Sequence, residues 1–123
     1  MFNWMKEWVV RLLKQAAVYA VQTEGDRLQE RLRAGIAKDG PAAIDRNIDD
    51  FQAKVGAAVH GWGPKWRWLE NLRAQIGGLV QDFGDKLQAK LKKEVAEYGP
   101  SAVDRVFDAA QATLLKKIEE LKI

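Results

Sequence analysis

Two stretches of this chain are copies of one another, and that duplication constrains the fold more than any other feature. Gly25–Val55 reads GDRLQERLRAGIAKDGPAAIDRNIDDFQAKV, and Gly84–Leu114 reads GDKLQAKLKKEVAEYGPSAVDRVFDAAQATL. At a constant offset of 59 residues, 14 of the 31 positions are identical. Several of the others are conservative exchanges, among them Arg27/Lys86, Arg31/Lys90, Ile36/Val95 and Ile44/Val103. No gap is needed, so the sequence is a tandem duplication and its core must be assembled from two similar halves. The repeats are residues 1–61 and 62–123, which together make one domain.

Each of the three prolines follows a glycine: Gly40-Pro41, Gly63-Pro64 and Gly99-Pro100. Glycine adopts the left-handed conformation that closes a helix, and proline fits the first turn of the next one. These marks divide the chain into helices expected at about 3–38, 41–60, 64–97 and 100–121. Periodicity agrees. In the second helix Ile44, Ile48, Phe51, Val55 and Val59 share one face, as do Val103, Phe107, Ala110, Leu114, Ile118 and Leu121 in the fourth. The third carries Leu69, Leu72, Ile76, Val80, Phe83, Leu87, Leu91 and Val95. The first carries Val10, Leu13, Ala17, Val21, Leu28, Leu32 and Ile36, weakened at Glu24, where the second copy has Phe83. The expectation is an all-α fold, four helices from two tandem helical hairpins, forming an antiparallel bundle. A small two-unit solenoid is the alternative.

The first helix outruns the second by about a dozen residues or more. Its N-terminal half therefore needs another partner: the third helix, a second chain or a lipid surface. A second apolar stripe there, Met5, Trp8 or Val9, Leu12, Ala16 and Tyr19, runs beside the core one. A helix apolar over most of its girth is usually buried in an assembly.

Catalysis is poorly provided for. His60 is the only histidine, Ser101 the only serine, and there is no cysteine. No nucleophile, base and orienting group can be assembled from these. Metal ligands would have to be carboxylates alone, and only the Asp45/Asp49 pair approaches such spacing. The chain reads as no enzyme, with no cofactor and no metal. The conserved Asp45-Arg46 and Asp104-Arg105 dipeptides read as local ion pairs, Arg46 with Asp49 or Asp50 and Arg105 with Asp108.

The five tryptophans gather near the two repeat starts: Trp4 and Trp8, then Trp62, Trp66 and Trp68. Tryptophan favours protein interfaces and the membrane–water boundary, because a large apolar ring carries one polar handle. The leading expectation is a non-enzymatic structural or interaction module that self-associates or docks on a larger assembly, with Trp4, Met5, Trp8, Leu12, Trp66 and Trp68 as partner-facing anchors. A viral or phage structural component, or a scaffold, fits that description. Lys6, Arg11, Lys14, Lys65 and Arg67 are interleaved with the tryptophans, as in an in-plane contact with an anionic membrane surface, the first rival reading. The net charge of +3 permits this without demanding it.

The second rival is nucleic-acid binding by Arg27, Arg31, Lys86 and Lys90, on faces related by the duplication. Acidic neighbours dilute both faces. The run Trp8–Val21 is too short and too charged to span a bilayer, and Glu7 and Arg11 spoil a signal peptide. The expected location is the cytoplasm or a virion, or the periphery of a membrane.

Overall fold

The structure, a computed structural model, describes the backbone of residues 2–121 and the side chains of residues 4–121. Four helices follow one another: α1 (Phe2–Asp39), α2 (Ala42–His60), α3 (Arg67–Tyr98) and α4 (Ala102–Glu120), with no strand among the described residues. Each packs on its sequence neighbour, and α4 closes the ring back onto α1. The repeats thus form a four-helix bundle and not a stacked solenoid. Shifting by one repeat maps the α1–α4 interface onto the α3–α2 interface, so an approximate two-fold axis runs along the bundle.

The Gly-Pro punctuation works as the sequence requires. Gly40, Gly63 and Gly99 have φ of 71°, 73° and 76°, a region where a Cβ is strained. Gly40 and Gly99 each donate their N–H to the carbonyl four residues back, Ile36 and Val95, at 3.0 and 2.8 Å. The expected stripes form the core: Leu13, Leu32, Ile44, Ile48, Leu69, Ile76, Leu91, Phe107 and Ile118 have no exposure. Each such side chain contributes roughly 1.5–3 kcal/mol on burial. At mid-bundle Phe83 joins two rings, Phe51 at 5.5 Å and Phe107 at 6.2 Å edge-on. Its counterpart Glu24 is half-buried and paired with Arg27.

Two local expectations give way. The third helix starts at Arg67 instead of Pro64, because Trp66 is extended (φ −79°, ψ 142°) and the carbonyls before it are turned towards Arg73. The Arg46 and Arg105 guanidinium groups do not pair with the aspartates ahead of them. They reach back across their hairpin turns, Arg46 to Asp39 at 3.2 Å and Arg105 to Glu94 at 3.4 Å. The preceding helix ends within their reach, so the pairs fasten hairpins and not single helices.

Candidate functional site

The repeat-start end of the bundle is where the helices stop matching in length. α1 has 38 residues against 19 in α2 and 19 in α4. One flank of its N-terminal half is covered from within. Lys14 donates to the Glu119 and Leu121 carbonyls, capping the last turn of α4 where its dipole is negative. Lys6 stands over the Trp68 ring at 5.2 Å, tying α1 to the start of α3. Val9 and Val10 are buried beneath.

Arg73 organises the linker between the repeats. It is the only buried charged side chain among the described residues, with 0% exposure. Its Nε donates to the Trp62 carbonyl at 3.0 Å, and its Nη2 to the Pro64 carbonyl at 2.6 Å. Nη1 meets Glu70, one turn back on α3. The forked guanidinium satisfies carbonyls that a turn with positive φ at Gly63 leaves facing inward. Lys65 donates to the His60 carbonyl at 2.8 Å, closing the end of α2. Neither role has a signal in the sequence, because each depends on where the linker carbonyls point.

With the linker fixed, the tryptophans divide. Trp62 and Trp68 are half-buried against the core, and Trp66 packs on Trp68 with ring centres 5.8 Å apart. Trp4 is 62% exposed, Trp8 54%, Trp66 40% and Tyr19 71%. Met5, Leu12 and Ala16 are half-buried beside Trp8 on α1. Trp4, Met5, Trp8, Leu12 and Tyr19 thus form an aromatic and aliphatic flank on α1 that no helix of the bundle covers. Trp68 differs from the other expected anchors in being engaged by both Lys6 and Trp66 and packed on the core.

The basic residues divide too. Lys6, Lys14 and Lys65 are engaged within the chain as described, and Arg67 is exposed. Arg11 lines an open groove of about 720 Å³ between α1 and the end of α4, with Val10, Lys14, Tyr19 and Leu121.

The positions considered for nucleic acid are largely neutralised: Arg27 by Glu24, Arg31 by Asp50 and Lys86 by Asp82, at 3.1, 2.8 and 3.0 Å. Lys90 alone of these four has no carboxylate partner among the described residues. Among the described residues no three metal-ligating side chains cluster, and no helix is long and apolar enough to cross a membrane. His60 is exposed at the end of α2. In comparisons with known proteins, no family model, no curated protein and no solved structure matches the chain.

Proposed function

We propose that this chain is a non-enzymatic helical docking module, whose N-terminal flank of α1 seats it against protein, a second copy of itself being the first partner to test. The observation that carries the reading is the exposure of Trp4 and Trp8, at 62% and 54%, beside a finished core. Every buried side-chain polar atom among the described residues has a hydrogen-bond partner, so the core is complete without those rings' polar handles.

The magnitudes say how far such an interface extends. The exposed parts of the two rings amount to about 100 Å² each, worth roughly 5 kcal/mol together when buried. Association costs about 4–15 kcal/mol in lost freedom and ordering. Two tryptophans alone do not suffice, so a stable contact runs on down the flank to Leu12 and Tyr19.

Charge favours protein over the rival surfaces. A lipid or phosphate surface needs cations facing outward; of the five considered for lipid Lys6, Lys14 and Lys65 are engaged within the chain, leaving Arg11 and Arg67, and three of the four considered for nucleic acid are ion-paired. Sedimentation velocity across a concentration series tests the reading, comparing the chain with a Trp4→Ser/Trp8→Ser variant. The expected result is mass that rises with concentration and is lost in the variant, whose unfolding midpoint is unchanged. A monomer at every concentration would remove self-association. A blue shift of tryptophan emission with anionic liposomes would then move the flank to lipid.

A further inference from the structure

The groove between α3 and α4 lies where the two hairpins differ, in the size of one core side chain and in the pairing of charges at the rim. In the first hairpin Phe51 is buried against Phe83, with 2% exposure. One repeat later its counterpart is Ala110, half-buried. Ala110 lines an apolar groove of about 150 Å³, floored also by Leu79, Phe83, Leu87, Val106 and Leu114.

Charge changes with shape. In the first hairpin Arg27 and Arg31 are held by Glu24 and Asp50. Their counterparts Lys86 and Lys90 line the groove, but the counterparts of the two carboxylates are Phe83 and Ala109. Lys54, held by the same Asp50, gives way to Thr113. Lys117 joins the rim where the first hairpin has Ala58. Asp82 is the one acidic residue of the lining, and it holds Lys86 at 3.0 Å. Lys90 and Lys117 are left without a carboxylate partner among the described residues. Cations that are paired in one copy are partly released beside an open apolar groove in the other.

We infer that the α3–α4 groove binds a free anionic amphiphile, a carboxylate with a short alkyl tail. Size sets the tail: an apolar cavity of about 150 Å³ takes a six-carbon ring, which corresponds to a chain of about six to eight carbons. Charge sets the head, because Lys90 and Lys117 are flexible point charges at the rim of an apolar floor. The site is separate from the aromatic flank of α1 and does not depend on it.

Octanoate is the probe, with 1-octanol and acetate as controls, followed by amide shifts in ¹H–¹⁵N spectra of the whole chain. Octanoate should move the amides of α3 and α4 that line the groove, saturably, and acetate should not. 1-Octanol should bind about threefold more weakly or worse, the increment of an exposed ion pair. Ala110→Phe restores the ring that the first hairpin carries, and should weaken octanoate about tenfold or more by filling the groove. Lys90→Gln/Lys117→Gln, on the surface, should reduce octanoate to the level of 1-octanol and decides the matter if Ala110→Phe does not fold. Trp4→Ser/Trp8→Ser should bind octanoate unchanged, whatever its effect on association. Unmoved groove amides at millimolar octanoate, equal binding by a folded Ala110→Phe, or 1-octanol as tight as octanoate would each overturn the inference.

Discussion

Lys92 Nζ lies 2.8 Å from Asp45 Oδ1, tying α3 to α2. One repeat away, Arg33 Nε lies 3.3 Å from Asp104 Oδ1, tying α1 to α4. Gln88 and Gln29 donate to the same two carboxylates. The glutamines and aspartates are identical between the copies. Identity survives at polar positions where one hairpin grips the other, so a single set of residues makes the same contact twice about the bundle axis.

Acid should loosen these contacts. The Lys92 ammonium, and after it the Gln88 amide, hold the Asp45 carboxyl below its ordinary 3.8. Asp50 is lowered likewise, chiefly by Lys54. A carboxyl depressed in the folded state contributes stability that is present above its unfolded value and lost as pH falls through the folded one. Urea midpoints should therefore drop below about pH 4. An Asp45→Asn/Asp50→Asn variant should be less stable than the parent at pH 7 but lose less between pH 5 and pH 3. Equal acid losses in parent and variant would show that other groups govern the transition. Both aspartates are partly exposed, so the effect is modest.

Two helix glycines of α3 should respond oppositely to alanine. Gly78 is exposed with open space around its Cβ position, so Gly78→Ala should stabilise by up to about 1 kcal/mol through helix propensity. At Gly84 an added Cβ would run into the Gln52 side chain, which crosses the helix there to reach the Gln81 carbonyl at 2.9 Å. The duplication repeats this approach at Gly25, against Gln111. Gly84→Ala should forfeit that bond and lose the propensity gain, and adding Gln52→Ala should recover it. Chemical denaturation of the single and double variants measures the coupling.

The fold was legible in the sequence because periodicity and the Gly-Pro marks act locally. Every residue of the stripes read in α2 and α3, from Ile44 to Val59 and from Leu69 to Val95, is buried. What was hidden is decided at a distance. Arg73 reads as one more cation near tryptophans, yet its surroundings are set by a turn about ten residues earlier. Arg46 and Arg105 read as local partners of the next aspartates, because the returning end of the preceding helix is invisible to spacing along one helix. The tryptophans were visible as a group, but which of them pack depends on the course of the linker that Arg73 holds and on contacts such as Lys6 over Trp68.

Phe107 has no exposure and meets Phe83 edge-on at 6.2 Å. Phe107→Ala should cost about 3–5 kcal/mol, the transfer of a ring plus the cavity left behind. Phe107→Asp should unfold the bundle, since it sets a charge among apolar neighbours. Tyr98→Asp is the control at a 55% exposed aromatic, although it also removes the stacking of Arg105 at 5.1 Å. Thermal melts that placed Phe107→Asp within a few degrees of Tyr98→Asp would contradict the core assignment.

Arg73 is the sharper test, because it links folding to the aromatic end. Arg73→Met keeps most of the side-chain volume but leaves the Trp62 and Pro64 carbonyls without their donor, at a cost of about 2–3 kcal/mol. Arg73→Lys keeps the charge yet cannot reproduce the fork, and should recover only part of that loss. The linker would then be free to carry Trp62 away from the core, so the tryptophan emission of Arg73→Met should shift red below its unfolding transition. If emission stayed unshifted while stability fell, the arginine would be filling the core without setting the linker. If neither changed, water would be able to replace it, and the 61–66 turn would owe its shape to Gly63 and Pro64 alone.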